Sequence, residues 1–413
     1  MWVFFAIVLF PLGLVQLPLM WAAGYLGPPN GQVNVAAWYL GELGNDAGYL
    51  YDRMGRDREA AFWFRLAAGL AHPQAEYNLG LLYQSGDGVF QSTARAIYWY
   101  RQAARAGFAP AEDTLGDAYD SGLGVTRNVR KAIFWYQRAA QQGFAAADSR
   151  IGMAYARGRG VAKNLILADL WLRRSALKGD AYAAYDLAIN YERGFGVSRN
   201  SGQYLHWLRL SARRGFPRAD AALGYDYSTG HFVPQNQAKA VHWFTIGARL
   251  GDRTARLDLA TAYEMGQGVK MDPKRAAEWF ARAAKQGSGQ AAFGLGEAYL
   301  YGHGVPKNMK AAVFWWGQAA KKGVPLAQYN LGLAYMMGKG VHQDNAIADD
   351  WFEAGARHGI AGAEYNLGVS YHEGLGVRKN QKLAYYWWRK AAAQPGYGGA
   401  LARRELAKSQ IKP

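Results

Sequence analysis

The sequence predicts an all-α solenoid, a superhelix of about nine 36-residue helix–turn–helix repeats behind an N-terminal hydrophobic segment. Three observations predict it. Alanine returns every 36 residues from Ala75 to Ala363, Tyr stands eight residues after each of these alanines, and Gly stands three residues after each Tyr. Trp recurs with the same step from Trp99 to Trp387. A fixed period of this length marks stacked supersecondary units, each burying its apolar face against its neighbours.

At the N-terminus, Met1 to Leu26 carries no charged side chain, and Gln16 is its one strongly polar residue. A helix of about 20 apolar residues spans the hydrocarbon core of a bilayer, and kinks such as those expected at Pro11 and Pro18 are tolerated there. A membrane anchor is therefore the first expectation for residues 1–26. Ala22-Ala23-Gly24 offers a small-residue cleavage site, so a signal segment stays open, although no Lys or Arg precedes Arg53. A buried capping helix is the third reading. Residues 27–74 are read as a linker and a degenerate repeat, in which Ala60, Trp63 and Ala67-Ala68 match a second helix but the preceding turn has lost its glycines.

The nine repeats occupy residues 75–398 and start at Ala75, Ala111, Ala147, Ala183, Ala219, Ala255, Ala291, Ala327 and Ala363. Ala75, Leu79, Gly80 and Tyr83 fall on one stripe of a first helix. Gly86 ends that helix, since glycine accepts the left-handed geometry of a C-terminal cap. A second helix then starts at Ser92, Asn128, Asn164, Asn200, Asn236, Asp272, Asn308, Asp344 or Asn380, all side chains that accept from the free N–H groups of a first turn. Ala96, Trp99 and Ala103-Ala104 are expected on its buried face. In this reading Gly80 and Ala104 let helix backbones approach, while Tyr83 and Trp99 fill the core. Phe232 replaces the second turn glycine of the fifth copy, so that loop is expected to differ. Residues 399–413 read as a polar capping helix and tail.

The period absorbs the unusual composition of 15 Trp, 27 Tyr and 51 Gly. With no cysteine there is no disulfide, thiolate metal site or cysteine nucleophile. The net charge of +17 suits an anionic partner. Much of it falls in the last turns of second helices, at Arg105, Lys178, Arg249, Lys321 and Lys322 among others, where cations complement the helix dipole. Together with Arg127, Lys163, Lys270 and Lys307 near the turns, these form two basic ridges.

The pattern A-x-Y-N-L-G-x-x-Y-x-x-G-x-G-V-x-x-N-x-x-x-A-x-x-W-x-x-x-A-A-x-x-G, nearly complete in residues 75–107, 327–359 and 363–392, resembles the Sel1-like repeat, a relative of the tetratricopeptide repeat. The resemblance covers about residues 58–398. It implies an adaptor or scaffold rather than an enzyme, with bacterial members placed in the cell envelope and some similar to assembly factors for exopolysaccharide secretion.

No catalytic constellation stands out against the repeat. The Gly-x-Gly turns follow helices and lack the Lys-Ser/Thr of a phosphate loop. No two of the eight histidines are spaced as a helical ligand pair, and no cofactor or metal is expected. By analogy with tetratricopeptide repeats, first helices line a concave groove, exposing the residues three, six and ten places after each marker alanine. The candidates there are Arg150, Arg157 and Arg193 in a mixed, cationic middle, Tyr225, and a C-terminal part with Tyr301, Leu333 and Met337 able to receive an apolar peptide or helix. The expected function is a non-enzymatic protein-binding scaffold, anchored by residues 1–26 in a bacterial inner membrane with the repeats in the periplasm, or periplasmic after cleavage. Binding of an anionic polysaccharide or lipid surface by the basic ridges is the alternative. Nucleic acid is disfavoured, because the aromatics are committed to the core rather than free for base stacking.

Overall fold

The computed structural model describes residues 35–408. The expected anchor or signal segment, residues 1–26, lies outside the described residues, as does the tail beyond Lys408. Among the described residues all regular structure is α-helical. α1 (Val35–Arg53) and α2 (Asp57–Gly69) make a first pair, followed by α3 (Pro73–Ser85) with α4 (Thr93–Arg105), α5 (Ala109–Ser121) with α6 (Val129–Gln141), and α7 (Ala145–Arg157) with α8 (Leu165–Leu177). Then come α9 (Ala181–Arg193) with α10 (Ser201–Arg213), α11 (Pro217–Thr229) with α12 (Gln237–Arg249), and α13 (Arg253–Met265) with α14 (Pro273–Lys285). α15 (Gly289–Tyr301) pairs with α16 (Met309–Lys321), α17 (Pro325–Met337) with α18 (Asn345–Arg357), and α19 (Ala361–Glu373) with α20 (Gln381–Ala392), before α21 (Tyr397–Lys408) ends the series. The chain divides into two compact units at Ala183/Ala184, inside α9, with Phe195–Val197 belonging to the first.

The second helices start where their caps are. The Asn128 side chain accepts from the backbone N–H of Lys131 at 3.0 Å, Asn236 from Lys239 at 2.9 Å and Asp272 from Arg275 at 3.0 Å. All nine capping residues make this bond. Each also donates its own N–H to the carbonyl of the marker Tyr of its repeat, as Asn128 does to Tyr119 at 2.8 Å. The cap thus fixes both the helix start and the path of the turn, and such a cap contributes about 1 kcal/mol.

The turn glycines do two different jobs. Gly86 (φ 92°) caps α3. Gly88 (φ 66°) rests on the backbone of Asp57 at the start of α2, where a Cβ would overlap the Asp57 carbonyl. The turn of one repeat therefore seats on the second helix of the repeat before it. In the fifth copy Phe232 keeps the left-handed backbone at φ 58°, and its ring packs 5.1 Å from that of Tyr204.

Burial corrects the reading of the Trp ladder. Trp99, Trp135 and Trp171 in the first unit, and Trp243, Trp279, Trp315, Trp351 and Trp387 in the second, are half-buried, while Trp207 is buried. The core residue is the one that follows: Tyr100, Tyr136 and Leu172 in the first unit, Leu208, Phe244, Phe280, Trp316, Phe352 and Trp388 in the second. Each ring fills a space left by a small residue on its partner helix. A Cβ on Gly80 would stand 2.5 Å from the Tyr100 ring, and one on Gly296 2.5 Å from that of Trp316. Gly80 therefore admits a ring rather than a helix backbone. Full burial of one such side chain contributes about 1.5–3 kcal/mol. In the N-terminal pair the same service is done by Gly48, opposite buried Phe64. At the other end Ala402 and Leu406 of α21 cover Trp388 and Ala391.

Several of the recurrent Tyr and Trp rings are covered by cations. Arg95 lies over the Tyr83 ring at 5.4 Å, Lys131 over Tyr119 at 5.6 Å, Arg138 over Trp135 at 5.3 Å and Arg174 over Trp171 at 5.1 Å. In the second unit Arg282 covers Trp279 at 4.5 Å and Lys390 covers Trp387 at 5.0 Å. Contacts of this kind contribute about 0.5–1 kcal/mol at exposed sites, and they account for part of the positive charge.

Candidate functional site

The first helices carry the candidate residues, but they do not all face solvent as expected. The position three residues after the marker alanine is largely used up in packing. Asn78 is buried and donates to Asn45 at 3.1 Å; Arg150 reaches Asp117; in the second unit Asn330 donates to Glu297 at 3.1 Å. Each of these pairs joins residues 33 apart, one on each of two successive first helices. The partner is also held from within its own repeat. The Tyr136 hydroxyl donates to Asp117 at 2.8 Å and the Trp316 indole N–H to Glu297 at 3.1 Å. These side chains form a polar ladder that locks one first helix to the next.

Arg150 is the most committed. Its Nε lies 2.6 Å from Asp117 Oδ1, its Nη1 3.3 Å from Asp113 Oδ2, and its guanidinium 5.7 Å from the Tyr136 ring centre. Burial pushes the Asp113 carboxyl up to about 7, against the pull of Arg150 and with help from the Asp117 charge. Arg157 is exposed, and with Arg150, Asp117, Tyr136, Met153 and Arg159 it lines a cavity of about 320 Å³. Arg159 itself pairs with Asp120 at 2.9 Å. The cationic middle expected from the sequence is thus largely neutralised in the first unit, where Arg157 has no ion-pair partner among the described residues.

In the second unit Arg193 is exposed, 3.9 Å from Glu192. Leu333 is half-buried and packs onto the cluster around Phe352 and Leu367, so it is a core contact more than a recognition residue. Tyr225, Tyr301 and Met337 are more than half exposed. The Tyr301 ring stacks on His303, centroids 5.5 Å apart. Met265, at the register position of Tyr301 and Met337, is equally exposed and joins them. Three successive first helices, α13, α15 and α17, therefore end on a large apolar side chain facing solvent. The common position, ten residues after the marker alanine, is the signal that groups them.

Among the described residues no cluster of three His, Asp or Glu is placed to hold a metal ion, and no helix is long and apolar enough to cross a membrane. The chemistry available on this surface is apolar contact with hydrogen bonding from Tyr hydroxyls.

Comparison with known proteins agrees with this architecture. The Sel1 repeat model matches residues 73–108, 110–144, 145–180, 181–216, 217–252, 254–288, 289–324, 325–360 and 361–395. Among solved structures, a protective antigen of uropathogenic Escherichia coli, c5321, which displays an SLR fold, is similar with a TM-score of 0.63 and 33% identity over 89% of this chain and 80% of that one. A Sel1 repeat protein from Oxalobacter formigenes is similar with a TM-score of 0.55 and 31% identity, covering 80% of this chain and 92% of its own. No curated protein matches the chain.

Proposed function

The chain belongs to the Sel1 repeat family, and on that premise we propose that it is a non-enzymatic scaffold of the bacterial cell envelope that holds a protein partner on its first-helix strip. Repeat proteins of this kind bind other proteins. The observation that carries the more specific reading is the row Met265, Tyr301 and Met337, exposed at one register position on three successive first helices, with Tyr225 on α11. Aromatic anchors concentrate binding energy, and Met adapts to irregular apolar partners. An apolar helix or extended peptide suits such a row. The envelope placement draws its support from the uncharged stretch Met1–Leu26 and from the likeness to a protective antigen. Service in an exopolysaccharide-secretion complex is the narrowest form of the reading and rests on family resemblance alone.

A photo-cross-linking residue at position 301 in living cells tests the strip. One dominant adduct is expected, lost when Met265 and Met337 are changed to Glu, with none from position 121 as control. Equal labelling from both positions, or an adduct indifferent to the Glu changes, would remove the proposal. For placement, the absence of native cysteine makes a cysteine introduced at Thr229 the sole target of a membrane-impermeant maleimide. Labelling is expected in cells whose outer barrier is permeabilised. Protection until the inner membrane is broken would place the repeats in the cytoplasm and refute the envelope reading.

A further inference from the structure

The second helices of the first unit present a face that neither the repeat packing nor the first-helix strip uses. One residue before each recurrent Trp stand Phe62, Tyr98, Phe134 and Leu170, exposed by 60%, 53%, 52% and 56%. Phe62, Tyr98 and Phe134 meet the following Trp edge-on, with centroids 5.6, 5.0 and 5.2 Å apart, so each exposed ring extends a half-buried one. Exposed Leu66 on α2, and Ile166 and Leu177 on α8, lie four or seven residues away along the same stripes.

The flanks of the α4 and α6 stripes are cationic. α4 carries Arg95, Arg101 and Arg105, and α6 carries Arg130 and Lys131, all spaced to share a helix side with Tyr98 or Phe134. α4 and α6 contain no Asp or Glu, and the one acid of α8, Asp169, is buried. Arg138 and Arg174 are drawn inward to Glu112 and Asp148. Arg101, Arg105 and Arg130, and also Arg95 and Lys131, which lie over the Tyr83 and Tyr119 rings, have no such carboxylate among the described residues. The fold does not demand this composition: α18, in the second unit, puts exposed Asp350 at the ring position and exposed Glu353 three residues later.

We propose that this face docks on an anionic lipid surface. Rows of rings and aliphatic side chains between uncompensated cations match an interface in which apolar matter lies beneath a layer of phosphate. An acidic polysaccharide would meet the cations but leave Phe134, Leu170 and Leu177 in water. An apolar protein groove would cover the rings but leave five cations facing a surface with nothing to neutralise them. The same chemistry repeated on successive helices also recognises extent rather than shape, as contact with a fluid surface requires. This docking is independent of the protein-binding strip and of residues 1–26.

The test uses the full chain, which has no native cysteine, carrying one environment-sensitive fluorophore on Phe134→Cys, Tyr98→Cys or, as control, Ser85→Cys. With phosphatidylglycerol vesicles the labels at 134 and 98 are expected to shift to the blue and that at 85 to stay aqueous. Raising salt from about 0.1 M to about 0.5 M should weaken the shift about tenfold. Arg130→Glu with Lys131→Glu should abolish the shift at 98 while the far-ultraviolet circular dichroism is kept. Because an apolar N-terminus could bring the chain to any bilayer, phosphatidylcholine vesicles are the second arm, and no shift at 134 is expected there. An aqueous label at 134 on phosphatidylglycerol overturns the proposal, as does an equal shift on both lipids. Shielding that grows with protein concentration without vesicles assigns the face to a second copy of the chain and also overturns it.

Discussion

Asp220 sits on α11 with no exposed surface, and neither of its carboxylate oxygens has a hydrogen-bond partner. Three of its register equivalents are provided for, whereas buried Glu76 is not. Glu112 has Arg138 at 2.8 Å and Gln142 at 2.7 Å; Asp148 has Lys178 at 2.7 Å and Arg174 at 3.4 Å; Glu364 has Lys390 at 3.3 Å and Gln394 at 2.6 Å. The positions that supply those partners hold Ile246 and Leu250 in the fifth repeat. Burial, and then the charge of Asp252, push the Asp220 carboxyl up to about 6. An unfolded Asp titrates near 4, so the difference of about two units corresponds to about 3 kcal/mol. The folded state holds the proton more tightly than the unfolded state. The contribution of Asp220 to stability is therefore greatest below about pH 4, falls as pH rises toward 6, and stays lowered above it. Asp220→Asn removes the ionisation and should stabilise the protein by about 1–3 kcal/mol at pH 8, the lower figure allowing for burial of an unpaired amide. Near pH 4 the gain should vanish. Glu76, Asp113, Asp258 and Asp349 are also raised by burial, but they are common to both proteins and cancel in the difference. Urea unfolding at pH 8, 6 and 4.5 gives the profile, and amide exchange at Ala219–Leu223 localises it if the repeats unfold in stages. A pH-independent difference between the two proteins would mean that Asp220 does not ionise in this range, and the argument from its missing partners would fail.

Gly116→Ala should cost about 1–3 kcal/mol by driving a methyl into the Tyr136 ring; adding Tyr136→Leu should recover part of it, since buried Ala188 and Leu208 hold the equivalent positions, less the lost hydroxyl bond to Asp117, and paired denaturation curves decide. Phe232→Gly should gain about 1 kcal/mol by relieving the left-handed backbone, less the lost packing on Tyr204, seen as a higher melting temperature. Asn308→Ala removes the bond from Ala311 N–H at 3.0 Å and should cost about 1 kcal/mol in urea, whereas Asn308→Asp should be close to neutral, as Asp272 and Asp344 cap equivalent helices.

The features legible in the sequence are those whose chemistry is local. A side chain that caps a helix must sit at the helix start, and a residue at positive φ is usually glycine, so the nine caps and the turns could be placed from spacing alone. The identity of the buried ring could not. Trp99 and Tyr100 are neighbours in sequence but point about 100° apart on a helix, and recurrence singled out the wrong one. The invariant Trp is half-buried at the surface in eight of the nine repeats, and a cation covers it at Trp135, Trp171, Trp279 and Trp387. The core position varies among Tyr, Leu, Phe and Trp because it asks only for apolar bulk opposite a gap. The polar ladder was hidden for a different reason. Asp117 with Arg150, and Glu297 with Asn330, meet across 33 residues, three short of the repeat, and the offset is invisible when repeats are aligned on their own period.

The same ladder explains where recognition can reside. Where the residue three places after the marker alanine pairs with the preceding repeat, as Asn78, Arg150 and Asn330 do, changing it alone leaves its partner unmatched, at about 1–3 kcal/mol where that partner is buried. The tenth place after the marker, and the place before the Trp, touch no neighbouring repeat in this way and are free to change singly. Those are the places where Met265, Tyr301 and Met337 on one face, and Tyr98, Phe134 and Leu170 on another, have large apolar side chains in water. Exposing them costs solvation that Ser85 or Asp350 at the same registers avoids. The repeat's packing gives no return for that cost, which is why both rows are assigned to partners.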